Sequence, residues 1–169
     1  LKQKIQESKQ RGKLLLFHPY SANINKSIPQ NFAIEILKNL IDKLDDYTIV
    51  STLLIDSKIK ADNFLDLSSY SKSIEDFIYI VSSCDKLITA YTSALHIADC
   101  FMIPTVCIAT FKEYEEQLKY YKCTKTIFVK DSSKNLSKFI YENDSLTINK
   151  FEEWKKIKIE DIVKVLESF

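Results

Sequence analysis

The chain has one glycine, Gly12, in 169 residues. That scarcity excludes a P-loop and the G-x-G-x-x-G dinucleotide fingerprint, whose turns bring backbone N–H groups against phosphate where a Cβ would intrude. The four cysteines, Cys84, Cys100, Cys107 and Cys123, form no C-x-x-C pair and have no histidine at zinc spacing. Cys100 and Cys107 lie in apolar runs, where a free thiol acts as a small hydrophobe, so a reducing compartment is expected. Neither sign of charge dominates: 24 basic against 23 acidic residues leave a formal charge of +1, and no global field draws in nucleic acid or an anionic membrane. No apolar run approaches the roughly 20 residues that span a bilayer. No secretory signal is visible, and the opening on Leu1 rather than Met leads us to expect a fragment with an N-terminal part elsewhere.

What is present fits one globular domain with a sizeable core, at 46% hydrophobic and 28% charged residues. There is no repeat and no low-complexity segment. Residues 1–13 read as a linker or leading helix, and 14–169 as a single Rossmann-like domain. "LLLFHP", "YTIVSTLL", "FLDLS", "KLITAY", "PTVCIAT" and "KTIFVK" are strand candidates, several of them continuous apolar runs of the kind covered on both faces. Between them, "SIPQNFAIEILKNLIDKL" repeats Phe32, Ile36, Leu37, Leu40, Ile41 and Leu44 at helical spacing behind Pro29. Ser73 is a predicted N-cap in "SIEDFIYIVSSCDK", with Asp76 three residues later. "TSALHIADCF" reads as helix, and so do the last dozen residues. Strands alternating with helices predict an α/β, doubly wound, mainly parallel sheet with helices on both faces.

In such sheets ligands sit beyond the carboxyl ends of the strands. Three corners qualify: the loop after Phe17, Ser51–Thr52, and Tyr91–His96. At the last, Thr92 and Ser93 close a strand and open a helix, with His96 one turn on. Two readings stand side by side. The hydroxyls are a plain N-cap worth about 1 kcal/mol, or they and the first backbone N–H groups hold an anion.

Two stretches resemble the C-terminal half of the heptosyltransferase family, glycosyltransferase family 9, and together run from Leu14 to Thr110. In "FHPYSANINKSIPQNFAIEIL", Ser21 falls on a hydroxyl position, Lys26 on the family's lysine and Pro29 on its proline, while Ile28 replaces a tryptophan. In "SIEDFIYIVSSCDKLITAYTSALHIADCFMIPTVCIAT", Thr92, His96, Ala98 and Pro104 match. Tyr91 stands where the family has aspartate, Ser93 where it has glycine, and Ala109 near the glycine of the last strand's loop. The resemblance implies one half of a GT-B architecture that binds a nucleotide-diphosphate sugar, ADP-heptose in the family. The acceptor, a lipopolysaccharide or other glycan, and the catalytic base then belong to a separate N-terminal domain. It implies neither a metal nor another cofactor, no nucleic-acid partner, and work in the cytoplasm at the inner face of the membrane.

On that resemblance the donor-binding residues are Ser21, Lys26, Tyr91, Thr92, Ser93 and His96, with no catalytic residue in this chain. Lys26 would bring positive charge to the diphosphate, and His96 would donate to phosphate or sugar unless it is a satisfied core histidine. Tyrosine at 91 would reshape the pocket for another sugar or plug it. His18 reads as a strand-end residue. "FKEYEEQLKYYK" reads as a solvated helix face at the rim of the site, and Trp154 as a surface or interdomain contact. A non-catalytic GT-B-like module that binds protein or glycan is the competing reading.

Overall fold

A computed structural model describes residues 1–23, 26–109, 115–129 and 156–169. Trp154 lies outside them, as does most of the segment before the last helix. Along the chain run α1 (Lys2–Arg11), β1 (Lys13–His18), α2 (Gln30–Lys43), β2 (Tyr47–Ser51), β3 (Phe64–Asp66), α3 (Ile74–Ser83), β4 (Lys86–Ala90), α4 (Ser93–Cys100), β5 (Thr105–Ala109), α5 (Glu115–Leu118), β6 (Thr124–Phe128) and α6 (Ile159–Glu167). The strands form one six-stranded sheet in the order β3-β2-β1-β4-β5-β6. Every neighbouring pair is parallel, and Leu16 of β1 stands opposite Val50 on one side and Leu87 on the other. This is the expected doubly wound α/β sheet.

The alternation of side chains explains why β1 is apolar throughout. Leu15 and Phe17 pack with Ile36, Leu37 and Leu40 of α2 and with Ile159, Ile162 and Leu166 of α6. Leu14 and Leu16 pack on the other face with Ile5 of α1, Ile80 and Val81 of α3, and Ala94 and Ala98 of α4. A third cluster, with Leu95, Cys107, Ala109 and Leu118, extends that second layer towards β6.

Local signals act much as the sequence predicts. Pro29 stands at the N-cap position of α2, just before the first helical turn and without a side-chain cap bond, and Ser73 Oγ accepts the Asp76 N–H to cap α3. Asp76 Oδ2 accepts from Lys72 N rather than from the cap residue itself, so the reciprocal box is displaced by one residue. The second strand is shorter than the run "YTIVSTLL" implies. Ser51 Oγ donates to Leu53 O and accepts from Leu53 N, folding the chain into a turn and leaving Leu54 60% exposed. The thiols divide as well: Cys107 is buried as expected, whereas Cys100 is exposed at the end of α4.

Gly12 joins α1 to β1, and a Cβ there would lie 2.9 Å from the carbonyl oxygen of Asp46. That carbonyl accepts from Lys13 N at 3.3 Å, so it cannot withdraw without weakening the start of the sheet. Gly12→Ala is therefore expected to destabilise by about 1–3 kcal/mol, read as a fall of several degrees in Tm. An unchanged Tm would show that the close approach relaxes without cost.

Candidate functional site

The strand order reverses between β1 and β4, which places the crevice favoured for ligands beyond His18 and Ala90. The corners named from sequence are tied together there. His18 Nδ1 pairs with Thr52 Oγ1 at 2.8 Å. Thr89 Oγ1 donates to His18 O at 3.0 Å and lies 3.0 Å from Thr92 Oγ1, which accepts from Ala94 N at 3.2 Å. Donation in the order Thr92 to Thr89 to His18 O satisfies all three groups. The Thr92 hydroxyl thus serves as the N-cap of α4 and as an internal link, and Ser93 beside it is exposed.

His18 is only 7% exposed and its ring lies 5.2 Å from that of Phe77. Burial pushes its pKa down to about 4, so the imidazole is neutral at physiological pH. It braces the crevice and carries no charge into it.

The loop after β1 is closed by its own hydrogen bonds. Ile28 N donates to Pro19 O at 2.8 Å, and Ser21 N to Ser27 Oγ at 2.8 Å. Ser27 Oγ reaches back to Ser21 O at 3.2 Å, while Ser21 Oγ accepts from Asn23 N at 3.3 Å. Ser21 therefore shapes the loop. Lys26, which the loop presents, has its Nζ 5.2 Å from the centre of the Tyr91 ring. The residues named on either side of the crevice, Lys26 from the β1–α2 loop and Tyr91–Thr92 from the β4–α4 corner, meet at one sheet edge.

Tyr91 is only 9% exposed, and its hydroxyl donates to Gln117 Oε1 at 2.5 Å. That bond opens onto a cleft of about 570 Å³ lined by Tyr91, His96, Asp99, Gln117, Tyr120 and Tyr121. His96 is exposed rather than a core histidine. Its Nδ1 pairs with the Tyr121 hydroxyl, and its ring meets Tyr91 edge-on at 5.6 Å. Burial, followed by the neighbouring Tyr91 and Asp99, raises the Tyr121 pKa and keeps its hydroxyl protonated. Asp99 Oδ1 accepts from Lys122 N at 3.0 Å.

Of the six residues named from sequence, the cleft takes in Tyr91 and His96, Lys26 rests on the Tyr91 ring, Ser21 and Thr92 are engaged in their own loops, and Ser93 is exposed at the start of α4. Asp99, Gln117, Tyr120 and Tyr121 were not singled out. Asp99 follows His96 at helical spacing, and the other three lie in "EEQLKYYK", whose aromatic pair was the one available signal. Among the described residues no three His, Cys, Asp or Glu side chains gather as a metal site, and no helix is long and apolar enough to cross a membrane.

No protein-family model and no curated protein matches the sequence. Solved structures do match in fold. The chain is similar to E. coli ADP-heptose lps heptosyltransferase II, with a TM-score of 0.64 and 12% identity, over 99% of this chain and 52% of that one. It is similar to E. coli heptosyltransferase WaaC with ADP, with a TM-score of 0.65 and 11% identity, over 97% and 48%. A glycosyl transferase family 9 structure from Veillonella parvula DSM 2008 gives 0.66 and 15% identity, over 98% and 49%. The chain spans about half the length of each. At these identities the likeness is one of fold, and that fold is the Rossmann-like arrangement found in these glycosyltransferases.

Proposed function

We propose that this chain is the donor-binding domain of a heptosyltransferase-like glycosyltransferase and holds a nucleotide-diphosphate sugar at the β1/β4 crevice. One observation carries the reading: the Lys26 ammonium and the N-terminus of α4 come from separate loops to the same edge of the sheet, joined through Tyr91. A cation and a helix N-terminus together favour an anion. The acceptor hydroxyl would attack the anomeric carbon, the bond to the diphosphate would break with inversion, and the nucleoside diphosphate would leave with its electron pair. Lys26 and the positive end of the α4 dipole would offset the charge developing on that leaving group, with Ser93 and His96 as further donors and Ser21 holding the loop. The proton would pass to a carboxylate of an N-terminal domain outside this chain. ADP-heptose as donor, a lipopolysaccharide or similar glycan as acceptor, metal independence, and work at the inner face of the cytoplasmic membrane complete the proposal.

The test is calorimetric titration with ADP. Binding is expected, with an affinity loss of about tenfold or more in Lys26→Ala, the removal of a charge-assisted contact. If ADP neither binds nor raises Tm, or if Lys26→Ala and His96→Ala bind it as tightly as the parent chain, the assignment fails. A second reading, a non-catalytic module of the same fold, is favoured by Tyr91. A bulky neutral side chain, engaged by Gln117 and Lys26, occupies the position where the family places aspartate. That reading requires no nucleotide binding at all.

A further inference from the structure

Basic charge is concentrated at the start of the chain. Residues 1–13 carry Lys2, Lys4, Lys9, Arg11 and Lys13 against Glu7 alone, while the other 156 residues hold 19 basic and 22 acidic groups. A protein close to neutral overall thus has a leading helix of opposite sign to its body. The fold keeps these cations at the surface. α1 buries only Ile5 and Ser8, and all five basic side chains are exposed. At 100° per residue, Lys2 and Lys9 run along one side of the buried stripe and Lys4 and Arg11 along the other. The ridge is therefore basic on both flanks, with long stems that carry the charges outward.

The neighbouring helix supplies a surface of another kind. Ile80 and Val81 of α3 share a cluster with Ile5 of α1. Across the same junction, Lys2 and Lys4 hold their Nζ atoms 5.8 and 5.3 Å from the ring centres of Tyr79 and Tyr70. One turn apart on α3, Ile74 is 58% exposed and Ile78 36%. Such aliphatic groups gain nothing against a phosphodiester backbone, but beside lysines they suit the headgroup region of a bilayer. The acidic residues of α3, Glu75 and Asp76, stand in its first turn, where they complement the helix dipole. With Glu7 they number three carboxylates against five cations. We infer that the face formed by α1 and the outer side of α3 docks on an anionic lipid surface, with the cations on the headgroups and Ile74 and Ile78 dipping between them. This surface would serve the membrane location proposed above, yet it shares no residue with the nucleotide site, so vesicle binding and ADP binding can fail separately.

Cosedimentation of the chain with vesicles tests this, using phosphatidylcholine alone and phosphatidylcholine mixed with phosphatidylglycerol, each at low and high salt. Binding is expected to the mixed vesicles only, and salt should release it by screening the attraction. Lys2→Glu/Lys4→Glu/Lys9→Glu should weaken binding by about a hundredfold or more. Lys38→Glu/Lys158→Glu/Lys164→Glu makes the same change in net charge at exposed positions on and beside α2 and α6, across the sheet, and should keep most of the binding. Ile74→Ser/Ile78→Ser should weaken it by about tenfold and, being at exposed positions, leave the circular dichroism spectrum unchanged. The proposal is overturned if the mixed vesicles are not bound, if the two lysine variants lose binding equally, or if the isoleucine variant binds undiminished. A DNA duplex that displaces the chain from the vesicles at equal phosphate concentration would also overturn it. Absence of ADP binding with vesicle binding intact would count against the nucleotide reading and leave this one standing.

Discussion

Acidification from pH 7 to pH 4 is expected to remove about 3 kcal/mol of folding stability through His18 alone. The folded imidazole titrates at about 4 because burial penalises its charged form, against 6.5 for the ordinary side chain. Below 6.5 the unfolded chain therefore takes up a proton that the folded chain refuses. The contribution is whole above about 6.5, declines as the pH falls, and is gone near 4. Carboxylates add their own acid sensitivity, so the useful quantity is a difference. His18→Gln keeps a partner for Thr52 and removes the titration. Urea unfolding of both chains at several pH values should give curves that converge towards acid. Parallel curves would mean that His18 is hydrated in the native state. The result bears on the site because His18 links β1 to Thr52 and, through its carbonyl, to Thr89 and the cap of α4.

Ile162→Ala is expected to destabilise by about 2–5 kcal/mol, the range for removing a large aliphatic side chain from a packed core. Ile162 is fully buried on α6, in the same cluster as Leu40, Val106 and Ile108. The helix cannot easily slide to fill the gap. Lys86 Nζ donates to Leu166 O at 2.7 Å, and Lys125 Nζ donates to Ser168 O and Oγ at 2.7 and 2.8 Å, so lysines from β4 and β6 hold its carbonyl end. Glu160→Ala provides the contrast. It breaks the 2.8 Å ion pair with Lys43, but both side chains are largely solvated and little stability should be lost. Denaturant midpoints decide between them: a small shift for Ile162→Ala would mean that α6 is not part of the cooperative unit.

The strands were legible because a strand buried on both faces must be apolar along its whole length, as Leu14 to Phe17 are. α2 was legible from its period, and α3 from period and cap together. β2 was overextended because "STLL" looks as apolar as a strand. What ends it is the Ser51 hydroxyl turning back on Leu53, a local bond that competes with the ladder. That Lys26 and the Tyr91–Thr92 corner serve one ligand is what the family resemblance implies; that they meet depends on β1 and β4 being neighbours, which the strand order supplies. The cleft followed from neither. Tyr121 lies 25 residues from His96, and Gln117 lies 26 from Tyr91. No periodicity connects such positions. "FKEYEEQLKYYK" reads from sequence as a solvated helix face at the rim of the site, yet α5 spans only Glu115–Leu118 before the chain turns and sets Tyr121 against α4.

Sequence alone determined the layers: where apolar runs must be strands, which helix faces turn inward, and that a chain with one glycine must meet any phosphate without a glycine-rich loop. Those properties depend on near neighbours and on the separation of apolar from polar surface, which the order of residues states directly. The tertiary structure decided which hydroxyls turn inward, that His18 is buried neutral while His96 is exposed, and that Tyr91 stands between a lysine and an aromatic cleft. Each of those outcomes depends on burial and on partners brought from distant segments, and such partners exist only once the sheet has set the distances between its loops.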